Sequence, residues 1–217
     1  MSISVRVCTV GVALPAPINL RTGTISRTGI MRGWDAVPVA EVMERRLKRP
    51  VFVDNNANLG ARAEFRSGAL RGKENAVYLC IDDGIGAGLI INGKVFRGHN
   101  GSAGEFGHFT IDENGPLCRC GNRGCLETYV GGPALIESLR GNHRGLKLHD
   151  IVVRAIAGDP KCIRAIADAG RHIGVAAANL CNIVDPQRLV VGGELSQAGE
   201  LLLGPMRHAL ERAVIVG

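Results

Sequence analysis

The chain has 217 residues, of which 46% are hydrophobic and 21% are charged. These fractions are close to those of globular proteins, and the length allows one large domain or two smaller lobes with buried cores. No run of about 18 apolar residues occurs, which excludes a membrane-spanning helix. The net charge of +6 invites a nucleic-acid hypothesis, but such binding requires a contiguous basic patch rather than a surplus of charge.

The densest basic cluster is the segment ERRLKR at residues 44–49. It fits either a solvated helix face or a DNA contact, and we favour the first because no helix-turn-helix pattern accompanies it. DNA is therefore expected to be contacted only through a module absent from this chain. The N-terminal segment MSISVRVCTVGVALP has no small-residue cleavage site after its apolar run. It is predicted to be a buried strand of a cytoplasmic protein with no membrane partner.

Segments with the periodicity of strands alternate with segments with the periodicity of helices, which predicts an α/β fold. In chain order, we expect a strand at 5–14, a helix at 36–48, a strand at 50–53, a helix at 58–70, strands at 75–81, 86–92 and 94–96, helices at 133–140, 148–159 and 161–184, a strand at 188–193 and a helix at 195–214. The Asn92-Gly93 pair predicts a hairpin between the second and third of the consecutive strands.

The sequence features at the two ends of the chain predict an incomplete two-lobed fold. No Gly-rich phosphate loop precedes the first strand, and no strand follows the last helix. We expect a partial, incomplete N-terminal α/β lobe at residues 1–75 and a C-terminal α/β lobe with a metal-binding loop at residues 76–217.

Seven cysteines are an odd number, which argues against a closed disulfide framework. Cys8, Cys80, Cys162 and Cys181 lie among aliphatic residues and are interpreted as small core residues. The other three cysteines lie close together in the segment CRCGNRGC at residues 118–125.

Cys118, Cys120 and Cys125 form a potential ligand set with His108, which lies ten residues before the first of them. Three thiolates and one imidazole are a donor set that tetrahedral zinc prefers, and the glycines between the cysteines allow a tight loop. Four protein ligands close the coordination shell, so we expect a structural zinc ion rather than a hydrolytic one. Free thiols or a chance disulfide are the alternative.

Two carboxylates flank this ligand set. Glu105 lies three residues before His108, and Glu127 lies two residues after Cys125. A zinc ion would fix both at one wall of a cleft, where carboxylates accept hydrogen bonds from the hydroxyls of a polyol. The alternative is two ordinary surface glutamates.

The segment IDDGIGAG places Gly84, Gly86 and Gly88 between two predicted strands. Backbone amides of such a loop can approach a phosphate or a sugar closely, although glycine-rich turns also occur without a ligand. Asp82 and Asp83 at the entry of the loop make it a poorer phosphate site than a neutral loop.

The order of the motifs ALPAP, DNNAN, GIGAG, GSAGEFGH and CRCGNRGCLE resembles the ROK family of repressors, open reading frames and kinases over essentially the whole chain. The resemblance implies an actin-like, hexokinase-type two-lobed ATPase fold of the ribonuclease H-like class and a homodimer formed through the C-terminal lobe. It implies zinc on His108, Cys118, Cys120 and Cys125, a sugar on Asn55, Asn56, Glu105, His108 and Glu127, and nucleotide-loop remnants at Gly84, Gly86, Gly88, Gly192 and Gly193.

The chain departs from the kinases of that family at position 56. Those kinases read END or QND where this chain reads DNN, and Asn56 replaces the aspartate that is their catalytic base. Their DxGGT-type phosphate loop is also missing from this chain. We therefore expect the sugar-sensing domain of a transcriptional regulator. The alternatives are a sugar kinase of the glucokinase or N-acetylhexosamine kinase type, and a zinc-binding chain without a ligand.

Overall fold

The computed structural model describes residues 8–19, 21–25, 30–31, 33–139 and 145–215. The strands are β1 Val10–Leu14, β2 Val51–Asn55, β3 Ala76–Ile81, β4 Ile85–Ile91, β5 Lys94–Phe96 and β6 Arg188–Gly192. The helices are α1 Val39–Leu47, α2 Asn56–Ser67, α3 Glu127–Val130, α4 Gly132–Leu139, α5 Leu148–Ile156, α6 Pro160–Val184 and α7 Glu200–Ala213, and short 3₁₀ helices span Phe106–His108 and Glu194–Ala198. The predicted α/β class is confirmed.

Within the described residues, the strands form two sheets. In the first sheet, β1 and β2 pair in parallel, with Leu14 opposite Asn55. The second sheet has the order β5-β4-β3-β6, in which β3 is antiparallel to β4 and parallel to β6. The expected hairpin joins β4 and β5 through Asn92 and Gly93, both of which have positive φ. The carboxyl end of β2 and the β3–β4 turn therefore provide two edges at which polar side chains can meet.

Helix α2 packs on the second sheet, although it follows β2 of the first sheet without an intervening loop. A Cβ added at Gly88 of β4 would collide with the carbonyl oxygen of Ala57 and lie 2.5 Å from the Cβ of Ala61. Only glycine allows this close approach of helix and strand. The backbone thus passes from one sheet to the core of the other between Asn55 and Asn56. The lobe boundary expected at residue 75 stays a prediction.

The largest core lies between the second sheet and the helices that follow it. Helix α6 begins at Pro160, and the Asp159 side chain caps it by accepting hydrogen bonds from two backbone N–H groups of its first turn. Four alanines of α6 are buried, namely Ala169, Ala176, Ala177 and Ala178. Gly170 and Gly174 bring α6 against the carbonyl groups of α7. No helix in the described parts of the chain has both the length and the apolar character that crossing a membrane requires.

Several predicted boundaries are wrong. The helix expected at 195–214 is divided, because Gly199 adopts φ 57° and ψ −130° between a 3₁₀ helix and α7. Helix α1 begins at Val39 rather than at residue 36, where Ala36 has a left-handed φ of 58°. Helix α2 begins at Asn56 rather than at residue 58, because Asn55 caps it. Strand β1 begins at Val10, and residues 5–7 of the expected strand lie outside the described residues.

The cysteines that were expected to fill cores divide into three kinds. Cys162 and Cys181 are buried, as predicted, but Cys8 is exposed. Cys80 is also buried, yet it lines a cavity beside polar groups. The apolar sequence around Cys8 and Cys80 therefore did not determine where their sulfurs lie.

Candidate functional site

The four expected metal ligands meet at one point. The ligand atoms of His108, Cys118, Cys120 and Cys125 all lie within 4.8 Å of one another. The Nδ1 atom of His108 is 3.6 Å from the Cys118 sulfur, and the sulfurs of Cys120 and Cys125 are also 3.6 Å apart. Sulfurs around a tetrahedral zinc ion with bonds of about 2.3 Å lie about 3.8 Å apart. The donor set and its spacing therefore fit a zinc ion.

The loop that carries the cysteines is shaped by backbone hydrogen bonds and by glycine. Cys118 N–H donates to the carbonyl of Asn122, and Gly121 N–H donates to the carbonyl of Cys118. Gly124 has φ +59°, and a Cβ there would collide with the carbonyl of Asp112. The loop can therefore fold back on itself only with glycine at this position.

The three thiols are shielded from solvent. The exposed fractions of Cys118, Cys120 and Cys125 are 4%, 7% and 0%. Burial raises the pKa of Cys118, and it raises the pKa of Cys125 to about 12. A metal cation bound by these sulfurs would displace their protons, which couples metal affinity to pH. None of the three sulfurs is in a disulfide bond.

A cavity of about 370 Å³ opens beside this cluster. One side of it, which we call the metal wall, belongs to residues 105–127. Another side, the amide floor, belongs to residues 54–58 and 80–84. The lining residues are Ala13, Pro15, Ala16, Ile30, Asn55, Asn56, Cys80, Asp82, Asp83, Gly84, Ile85, Gly86, Glu105, His108, Arg119, Glu127 and Glu194. All five residues that were expected to contact a sugar line this one cavity.

His108 connects the metal cluster with the cavity. Its Nδ1 atom faces the Cys118 sulfur, and its Nε2 atom lies 3.8 Å from a carboxylate oxygen of Glu105. A histidine that ligates a metal through one nitrogen commonly has its second nitrogen fixed by a carboxylate. A metal ion bound through Nδ1 would leave the Nε2–H group as a donor on the Glu105 side of His108.

Glu127, the second acid of the metal wall, is paired with Arg119. The guanidinium Nε and Nη2 atoms lie 2.8 Å and 2.9 Å from the two carboxylate oxygens, which is the bidentate geometry. The Nη1 atom of Arg119 also reaches the carbonyl of Ile30, 3.5 Å away. The sequence motifs did not single out Arg119, although its position between the candidate ligands Cys118 and Cys120 places it at this wall.

Asn55 has a structural function at the mouth of the cavity. Its Oδ1 atom accepts hydrogen bonds from the backbone N–H groups of Ala57 and Asn58, and its Nδ2 atom donates to the Ala16 carbonyl. The cap fixes the start of helix α2. The amide carries a second proton that can bond a ligand.

Asn56 lines the cavity beside Cys80. Its Nδ2 atom lies 3.6 Å from the Cys80 sulfur, which in turn donates a hydrogen bond to Oδ2 of Asp82 at 3.2 Å. The other oxygen of Asp82 accepts the backbone N–H of Glu194 at 2.6 Å. The sequence did not indicate the contacts of Cys80 with Asn56 or of Glu194 with Asp82, because they join residues 24 and 112 positions apart.

The glycines expected at a nucleotide loop occupy different surroundings. Gly84 and Gly86 are part of the cavity lining. Gly88 lies against helix α2, Gly192 against the Tyr78 ring, and Gly193 against the backbone of Ile81. A side chain at any of the last three would collide with these neighbours. Their role near a nucleotide stays a prediction.

Comparison with known proteins gives a consistent result. The family model described as the ROK family matches residues 3–216. The xylose repressor of Bacillus subtilis is 35% identical over 181 residues, which cover 83% of this chain and 47% of the repressor. The chain therefore spans about half the length of this curated relative.

Several solved structures are similar to almost the whole chain, among them a kinase and a regulator. A ROK family glucokinase from Streptomyces griseus, in complex with glucose and AMPPNP, has a TM-score of 0.89 and 31% identity, covering 98% of this chain and 73% of the kinase. A ROK family transcriptional regulator, a homolog of the E. coli MLC protein, has a TM-score of 0.83 and 28% identity, covering 97% of this chain and 56% of the regulator. These likenesses confirm the expected actin-like, hexokinase-type fold.

Proposed function

Because the chain belongs to the ROK family, we propose that it is the sugar-sensing domain of a transcriptional regulator, which binds a hexose or hexose derivative without phosphorylating it. The observation that carries the proposal is the amide of Asn56 in the lining of the cavity. The resemblance puts the catalytic aspartate of the kinases at this position.

An amide and a carboxylate differ in one function that matters here. Both accept a hydrogen bond from a sugar hydroxyl, but an amide cannot take the proton near neutral pH. A positioned base contributes about a hundred- to ten-thousand-fold to the rate of such a transfer. Asn56 therefore favours binding of a hydroxyl over its activation.

The other lining residues supply a mixed set of donors and acceptors for a polyol. Glu105 and Glu127 accept from hydroxyls, whereas the Asn55 amide donates and His108 offers its second ring nitrogen. A zinc ion on His108 and the three cysteines would act as a structural crosslink that holds both ends of the metal wall. In this role it would contact no reacting atom.

Charge near the predicted nucleotide loop also supports binding without phosphoryl transfer. Asp82, Asp83 and Glu194 line the cavity on this side, and carboxylates repel phosphate groups. The Glu194 N–H, directly after Gly192 and Gly193, already donates to Asp82. A backbone donor next to the predicted loop is thus engaged by an internal carboxylate.

The test combines binding and turnover. Calorimetry with D-glucose and D-xylose should detect binding of at least one sugar, and a coupled assay with ATP should detect no phosphorylation. In Asn56→Asp, any gain of turnover would identify position 56 as the missing base, and Asn92→Asp in the β4–β5 hairpin is the matched control. Clear turnover by the unmodified chain would overturn the proposal, and so would the absence of binding to every sugar tried.

A sugar kinase is the second candidate function. It is favoured by the similarity to the Streptomyces griseus glucokinase, whose structure contains glucose and AMPPNP. Repressor and kinase match this chain at similar identities of 35% and 31%, so the turnover assay is the experiment that distinguishes them.

The regulator proposal includes an assembly. We infer lobes at residues 1–75 and 76–217, a homodimer formed through the helices of the second lobe, and DNA contact through a module other than this chain. Sedimentation analysis with and without zinc tests the dimer, and a monomer at micromolar concentration under both conditions would contradict it.

A further inference from the structure

The sulfur of Cys80 is the centre of a hydrogen-bond network at the amide floor. It lies 3.2 Å from Oδ2 of Asp82 and 3.6 Å from Nδ2 of Asn56. Burial, followed by the charge of Asp82, raises the pKa of Cys80 to about 12, so the sulfur carries a proton near neutral pH.

The chemistry of the three groups fixes the direction of each hydrogen bond. A carboxylate only accepts, so the single thiol proton must point to Asp82. The sulfur can then only accept from Asn56, which must present its NH₂ group rather than its carbonyl oxygen. The orientation of the Asn56 side-chain amide therefore follows from its hydrogen-bonding neighbours and is not an arbitrary assignment of its nitrogen and oxygen.

We propose that Cys80 is a positioning residue, which holds the Asn56 amide with Nδ2 toward the sulfur and Oδ1 toward the cavity. The site then presents a fixed acceptor at position 56 and selects a ligand that donates a hydroxyl proton there. This inference rests on the proposed sugar-binding function for its ligand, but the orientation itself is a property of the free protein.

The first experiment measures the free protein. The side-chain NH₂ signals of Asn56 are identified in a ¹⁵N NMR spectrum by their loss in Asn56→Asp, and their exchange with water is then measured. In Cys80→Ala the exchange should accelerate about fivefold, as expected for loss of one hydrogen bond. Cys80→Ser keeps a donor and an acceptor and should remain close to the unmodified protein. Cys181→Ala removes an equally buried cysteine of α6 and should change nothing.

A second variant tests the direction of the network. In Asp82→Asn, the Oδ1 atom can still accept from Glu194 while the new NH₂ group donates to the sulfur. The thiol proton then turns to Asn56, which must rotate its carbonyl oxygen toward Cys80. We expect the Asn56 NH₂ signals to exchange as fast as in Cys80→Ala. Unchanged exchange in both variants would overturn the proposal, whether or not any sugar binds.

The ligand experiment uses D-glucose and its monodeoxy analogues, or D-xylose and its analogues where xylose binds. The unmodified protein should discriminate most strongly against one analogue, which lacks the hydroxyl that donates to Asn56. Cys80→Ala should reduce that discrimination about threefold or more and leave the other analogues unaffected, whereas Cys80→Ser should preserve it. Equal weakening of all sugars would show a general packing defect and would contradict the positioning role. Failure of the unmodified protein to bind any sugar would refute the proposed function instead.

Discussion

The metal wall and the amide floor line the same cavity but are held by different kinds of interaction. The wall depends on four candidate metal ligands within a segment of 18 residues, His108 to Cys125, whose donor atoms lie within 4.8 Å of one another. The floor depends on contacts between distant segments, such as Asn55 with Ala16, Asp54 with Arg97, and Asp82 with Glu194. A metal ion can therefore organise the wall locally, whereas the floor forms only when both sheets are in place.

The largest expected effect comes from breaking the metal wall. Cys120→Ser should abolish stoichiometric zinc binding and lower Tm by about 5–15 °C, because it leaves an incomplete ligand set in a buried loop. Sugar binding should be lost together with zinc, since Glu105 and His108 lose their support. Metal analysis, thermal unfolding and calorimetry measure these three effects. Cys181→Ser, at a buried cysteine outside the cluster, is the control, and undiminished sugar affinity in the zinc-free variant would contradict the coupling.

The next effect comes from the salt bridge between the two sheets. Arg97 donates from Nε and Nη2 to Asp54 at 3.0 Å and 2.6 Å, and the two side chains are only 25% and 13% exposed. Arg97→Met should lower the free energy of unfolding by about 2–4 kcal/mol, because Asp54 is left partly buried without its cation.

Urea denaturation checks this value. Arg45→Met is the matched control, since Arg45 and Glu41 are 68% and 65% exposed and such pairs contribute less than about 1 kcal/mol. An equal loss of stability in the two variants would indicate that the Arg97 pair is no more than a surface interaction.

A smaller effect is expected at the cap of helix α2. Asn55→Ala should lower the free energy of unfolding by about 1–2 kcal/mol, because two N–H groups of the first turn lose their acceptor. Asn55→Ser retains a cap acceptor and removes the donor to Ala16 without placing an oxygen against that carbonyl, so its cost should be smaller. Chemical denaturation distinguishes the variants, and equal costs would assign the stability to the Ala16 contact rather than to the cap.

The smallest effect on stability is expected at Arg119. Its side chain is 45% exposed, so Arg119→Ala should change the free energy of unfolding by less than about 0.5 kcal/mol. Sugar affinity should fall about two- to fivefold, because Glu127 loses the bidentate partner that orders it. Arg123→Ala in the same loop controls for general loop effects. Unchanged sugar affinity would show that Arg119 does not contribute to sugar recognition. Its contact with the Ile30 carbonyl would then be its main role.

The contrast between local contacts in the metal wall and long-range contacts in the amide floor also explains which features the sequence predicted. The metal ligands were predictable because short spacing and tight glycine turns restrict where the sulfurs can lie. The β4–β5 hairpin and the long helix α6 followed from Asn-Gly turn chemistry and from helical periodicity. In each case the information is contained in neighbouring residues.

Long-range contacts set the features that the sequence did not predict. The apolar surroundings of Cys80 predicted a core residue, whereas its sulfur bonds to polar groups at the cavity. The helix expected at 195–214 was interrupted at Gly199, whose conformation no periodicity indicates. Gly88, expected at a nucleotide loop, is required by the packing of helix α2.

The contact between Gly88 and Ala57 has a mechanical consequence. Since helix α2 packs so closely on β4, Asn56 in its first turn is held against the second sheet, whereas the backbone of Asn55 belongs to β2 and its side chain caps the helix. A rotation of one sheet relative to the other would leave Asn56 in place on the second sheet. Because the peptide bond itself is planar, the change would fall on ψ of Asn55 and φ of Asn56, two residues that line the cavity.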